Sequence, residues 1–345
     1  MLLRTFGWSF ALTAAGLVAA LLYDGPKALF VTAILVVLEV SLSFDNAVVN
    51  ARVLARMSAY WQRLFLTVGM LVAVFGMRLV FPLLIVGATA HISPWRAWQL
   101  ALERGDPDTP GTYGHLLHDA HPLIAAFGGM FLLMIFLDFL IDLEKELHWL
   151  GPVERFVQRA GVLRWASVLV ALVTLGIFAL VYHQHTGELL GAGVVGLLSY
   201  LLVSTAAERF ERTAEDGTGT AGVVLATGKA AFSLFLYLEV LDMSFSFDGV
   251  IGAFAITADP VVIALGLGIG ALYVRSLTVL LVRQGTLSEL VFLEHGAHWA
   301  IGALALLLFV SIEHEVPEVV TGLIGVGFIA AALASSLRRR RAHAG

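Results

Sequence analysis

Five carboxylates fall in stretches that are otherwise apolar: Glu39, Asp45, Glu239, Asp242 and Asp248. Two arginines, Arg78 and Arg275, share that setting. A charged side chain near the centre of a bilayer costs at least about 2.5–3.5 kcal/mol on insertion scales, so acids placed there are candidates for function. Ion pairing with the arginines accounts for two of the five. The excess must be protonated or met by a cation, and either answer suits an ion pathway. The chain has no cysteine, which excludes disulfides, thiolate metal sites, iron–sulfur clusters and cysteine nucleophiles. Oxygen and imidazole remain. Ser43, Asn46 and Ser246 add hydroxyl and amide groups beside the acids, and this oxygen set selects hard divalent cations such as magnesium, calcium and manganese over copper or zinc.

The acids are arranged as a repeat. Leu38 through Val48, LEVSLSFDNAV, lines up without a gap on Leu241 through Ile251, LDMSFSFDGVI. Glu39 pairs with Asp242, Ser43 with Ser246 and Asp45 with Asp248, and of the polar positions only Asn46 changes type, to Gly249. Downstream, Gly69 through Arg78 lines up with Gly266 through Arg275, so the two intramembrane arginines belong to the same duplication.

Those residues need membrane-spanning helices to carry them. Hydrophobic residues make up 59% of the 345 and charged residues only 14%, an apolar share well above that of soluble domains. Ten apolar runs approach the roughly 20 residues a span requires: about 6–23, 28–50, 65–89, 121–143, 163–182, 188–207, 228–256, 260–282, 297–312 and 317–337. With the N-terminus inside, sixteen Lys and Arg fall on the inner side and three on the outer. The positive-inside rule therefore predicts both termini in the cytoplasm, with the chain in the cytoplasmic (inner) membrane and the first apolar run retained as a span. Three segments follow: a first half over 1–207, a cytoplasmic hinge loop over 208–227 and a second half over 228–345. The fold class expected is all-α, a polytopic transmembrane bundle.

The motif copies lie on spans two and seven, which run in opposite directions, so the repeat has inverted topology. Secondary transporters use that plan, with the substrate held near mid-membrane between the halves. At 100° per residue Glu39, Ser43 and Asn46 share one helix face while Asp45 lies on another, so one ion meets both acids only where the backbone breaks near Ser43 to Asp45. The expectation is broken motif helices that cross as a pair, with Arg78 and Arg275 turned into the bundle toward motif acids.

The doubled motif resembles that of the TerC family of integral membrane proteins, within the LysE-like transporter superfamily, over about 300 of the 345 residues. The resemblance implies manganese efflux, with tellurite resistance and metalation of exported enzymes as associated traits. It also implies metal-site roles for Glu39, Asp45, Asn46, Asp242 and Asp248. This chain differs in Gly249, in a long segment over 91–120 and in having more spans than the usual family core.

Weaker signals lie nearer the ends of spans. Asp138 and Asp142 stand one turn apart at the inner side, either an intake site or a solvated helix end. Glu313 and Glu315 lie between the last two spans, where they form an exit vestibule or a plain loop. His115, His118, Asp119 and His121 read first as a solvated loop and second as a metal group. Arg338 to Arg341 read as a topology anchor beside anionic lipid, with no nucleic-acid role. The function expected is secondary-active export of a divalent cation, manganese first, with protons as a candidate coupling ion. No nucleotide-binding cassette or organic cofactor is indicated. A metal-dependent intramembrane enzyme and a non-transporting scaffold are the competing classes, and the expectation is that the chain is not an enzyme.

Overall fold

The computed structural model describes the chain apart from residues 1, 70, 104, 106, 107, 143, 144, 146, 159–164, 183–185, 219–224, 258, 285–289, 315 and 345. Long apolar runs become helices, even across Pro122, and there is no β-sheet among the described residues, only one isolated bridge between Met57 and Ala226. The helices are α1 (Leu2–Leu42), α2 (Phe44–Ala55), α3 (Ala59–Leu64), α4 (Phe81–Thr89), α5 (Pro94–Leu102), α6 (Tyr113–Ile141) and α7 (Gly151–Gln158). They continue as α8 (Ala166–Val181), α9 (Thr186–Thr218), α10 (Gly228–Ile256), α11 (Pro260–Gln284), α12 (Leu293–Ser311) and α13 (Glu318–Ala344). Two π-helical stretches, Phe65–Gly69 and Val72–Val80, join α3 to α4.

Seven helices among the described residues are long and apolar enough to cross a membrane. The first of these is a reversed pair. Asp24 and Gly25 leave helical backbone, Gly25 at φ +73° where a side chain would be strained, and Pro26 opens the second arm. Contacts with α11 fix the reversal. In the first arm Ser9 meets Ser276, Thr13 meets Tyr273 and Tyr23 meets Asp259, so the two helices run oppositely. In the second arm Leu35 packs at Gly266 and Glu39 at Gly270, so they run together.

Polar contacts between connecting segments gather at two ends. Tyr23 with Asp259 and His121 with Ser311 mark one end. Ser58 with Ala226, Arg52 with Glu294 and Trp149 with Ser335 mark the other. The motif helices lie between. Buried residues of α10 belong to three apolar clusters, through Leu241, through Val250 and Ala253, and through Leu234 and Leu238, while α2 joins two of them through Val49 and Leu54. Packing from several sides is what allows these helices to carry buried charge away from lipid.

Three expectations change. The backbone break is reduced to Ser43 in the first copy, where helical hydrogen bonds still run on both sides, Ser43 N to Glu39 O at 3.0 Å and Ala47 N to Ser43 O at 3.2 Å. The second copy does not break at all, since α10 is continuous from Gly228 to Ile256. Neither motif contains proline, the residue that forces interruption, and each is rich in residues a helix tolerates. The hinge loop over 208–227 starts as helix, because α9 continues to Thr218 through an Ala/Glu/Arg-rich stretch of high helix propensity. The 91–120 segment holds α5 and the start of α6, each opened by a hydroxyl cap, Ser93 accepting from Arg96 N and Thr112 from His115 N. His115, His118, Asp119 and His121 therefore lie on the first turns of α6 and not in a loop.

Candidate functional site

The two motif copies meet in the interior. Glu39, at the end of α1, is 1% exposed, and one of its oxygens accepts from Ser43 Oγ at 2.9 Å and from the Arg78 guanidinium. Arg78, on the second π-helical stretch and 4% exposed, also approaches Asp242 of α10 at 4.0 Å. Asp242 accepts from Asn46 Nδ2 at 2.7 Å. One arginine thus bridges the leading acids of both copies.

The contacts are exchanged between copies. Asn46 of the first copy meets Asp242 of the second, and its counterpart Gly249 meets Glu39, the counterpart of Asp242: a Cβ on Gly249 would stand 3.1 Å from Glu39 Oε2. Gly270 of α11 closes the other side, where a Cβ would come 2.5 Å from that of Glu39. Gly270 is required by this close approach. From the first π-helical stretch the Leu66 carbonyl accepts from Arg275 Nε at 2.6 Å. Arg275 thus reaches from α11 to the first π-helical stretch.

A small cavity lies beside this cluster. Asn50, Leu66, Arg78, Glu239, Asp242, Arg275 and Thr278 are among its walls, and its volume of about 10 Å³ is the room one water takes. Glu239 is 6% exposed, and neither of its oxygens receives a hydrogen bond from the described residues. The Asn50 carbonyl, on a side chain 4% exposed, is in the same condition.

The remaining candidates divide. Asp45 lies on α2, and Ser246 and Asp248 on α10, at motif positions, but their side chains lie outside the described ones. Asp138 of α6 accepts from the Tyr200 hydroxyl at 2.6 Å, away from the motif cluster. Asp142 follows α6 at the surface, and its backbone carbonyl accepts from Gln158 Nε2 at 2.9 Å. Glu313 is exposed in the turn after α12. Glu315 lies outside the described residues. Among the described residues no three His, Asp or Glu side chains stand close enough to hold a metal by themselves.

Sequence reasoning missed Asn50 and the packing role of Gly270. Spacing carried a signal for the first: Glu39, Ser43, Asn46 and Asn50 follow one another by four, three and four residues, a single helix face. It also missed a second buried polar group. Glu154 of α7 is 0% exposed, with one oxygen accepting from Trp299 Nε1 and Leu150 N, each at 3.2 Å, and the other 3.2 Å from Lys145 Nζ. Burial pushes this carboxyl up, but the hydrogen bonds from Trp299 and Leu150 together with the Lys145 charge outweigh it and hold the pKa below its ordinary value.

Residues 44–343 match the family described as a protein of unknown function (DUF475), and the chain belongs to that family. No curated protein and no solved structure matches it.

Proposed function

We propose that this protein is a secondary-active transporter that exports a divalent metal cation, manganese first, through the paired acidic motifs. The exchanged contacts between the copies carry the reading: Asn46 on Asp242 and Gly249 on Glu39, in a buried cluster with more acid than arginine. Five motif-region acids and two arginines leave three negative charges. A divalent cation and one proton would neutralise them, which suits exchange of one for the other. The exchange of equivalent contacts is the pattern a pseudo-two-fold axis between inverted repeats produces. The resemblance to the TerC family supports the choice of manganese.

On this reading the chain crosses the cytoplasmic membrane ten times with both termini inside, the reversal at Asp24–Gly25 supplying the first two passes. The end where Arg52 meets Glu294 is then cytoplasmic, as its basic residues favour. The test is flux of manganese, magnesium and calcium into sealed proteoliposomes under a pH gradient. Saturable manganese movement supports the proposal. A protein that binds metal without moving it would be an enzyme or a sensor, and one with no saturable response to any of the three would be a scaffold.

A further inference from the structure

We propose that the cation sits in the small cavity beside the motif cluster, held by Glu239 and Asn50, and not at Glu39. This rests on the transport reading above and assigns the seat within it.

Glu39 already has its neutralising partners. Arg78 and the Ser43 hydroxyl donate to it, and Gly249 and Gly270 pack against its side chain. Glu239 is in the opposite condition. Its carboxylate is buried, takes no hydrogen bond from the described residues, and opens on a cavity of about 10 Å³. Across that cavity the Asn50 carbonyl is equally buried and equally without a donor. Buried acceptors that no protein donor reaches are costly unless a water or an electropositive group fills the space between them. The arginines in the wall are engaged elsewhere, Arg78 with Glu39 and Arg275 with the Leu66 carbonyl. Gly69 makes the site possible from the π-helical side, since a Cβ there would stand 2.6 Å from Glu239 Oε1.

Carboxylate and amide carbonyl are the oxygens that hard divalent ions select, and one water-sized volume accommodates one such ion. Both ligands also depart from the internal repeat. The position equivalent to Glu239 is Val36 and the one equivalent to Asn50 is Ala253, so the duplication supplies the frame and a single seat has been added on one side.

Manganese binding to the full-length protein in detergent, followed by the loss of the free-ion electron paramagnetic resonance signal, tests the assignment. Outer-sphere partners of a metal typically cost about 10–100-fold in affinity when removed, and a direct ligand should cost no less. Glu239→Gln and Asn50→Leu should therefore each weaken binding about tenfold or more. Asn50→Asp, which adds an anionic oxygen, should tighten it and remains informative if Asn50→Leu folds poorly. If wild type and all three variants bind manganese alike, the cavity holds a water and the seat is wrong, while the transport reading stands. If wild type shows no saturable binding, the seat and the manganese reading fall together.

Discussion

Replacing Arg78 by methionine should destabilise the protein by about 3–5 kcal/mol, the usual effect of stranding one member of a buried ion pair. Glu39 and Arg78 are 1% and 4% exposed, and without the guanidinium Glu39 keeps, among the described residues, the Ser43 hydroxyl at 2.9 Å as its donor. Asp242 would suffer less, because its contact with Arg78 is 4.0 Å and its bond from Asn46 is 2.7 Å. Adding Glu39→Gln to Arg78→Met removes the stranded charge while keeping the side-chain shape that Gly270 packs against. The double variant should then recover to within about 1 kcal/mol of wild type, since buried pairs replaced together are often neutral. Denaturant unfolding in mixed micelles, arranged as a double-mutant cycle, gives the coupling between the two positions. A loss under about 1 kcal/mol for Arg78→Met, or no recovery in the double variant, would refute the view that this arginine neutralises Glu39.

Gly270→Ala should cost about 1–3 kcal/mol, because its new methyl would meet the Glu39 side chain at 2.5 Å; melting temperatures compared with Gly7→Ala, a position with nothing within 4 Å, check it. Glu154 should contribute stability that is present above its ordinary pKa of 4.5 and lost as pH falls below it, since its folded pKa is depressed. Melting curves at neutral and acid pH should show the gap between wild type and Glu154→Gln closing in acid. Tyr200→Phe removes the hydroxyl that donates to Asp138 at 2.6 Å. If Asp138 serves cation intake, that change and Asp138→Asn should both shift the apparent affinity for manganese in a flux assay and leave the maximal rate unchanged.

Apolar runs were the readable part of this sequence. The expected spans 228–256 and 260–282 emerge as helices with nearly the same bounds, because long hydrophobic stretches with no proline beyond the first helical position leave the backbone one favourable solution. The duplicated acids were equally visible, since charge in such runs has few structural uses. What could not be read was geometry decided by packing. The motif helices keep their hydrogen bonds instead of unwinding, and the widened turns at 65–69 and 72–80 that carry Leu66 and Arg78 have no composition of their own. Polar side chains at the ends of α5 and α6 turned apparent loop into helix through caps at Ser93 and Thr112. Glu154 lies in a stretch that reads as a charged connector; Lys145 comes from that same connector, and only the fold brings Trp299 to it from a distant position.

The most direct test of the central claim is manganese transport by proteoliposomes carrying wild type, Asp45→Asn or Asp248→Asn, with insertion and folding verified by melting with and without manganese. Each substitution keeps the side-chain shape and removes one anionic oxygen group from a motif, so both variants should remain folded and lose transport. Normal manganese transport by either variant would contradict the account.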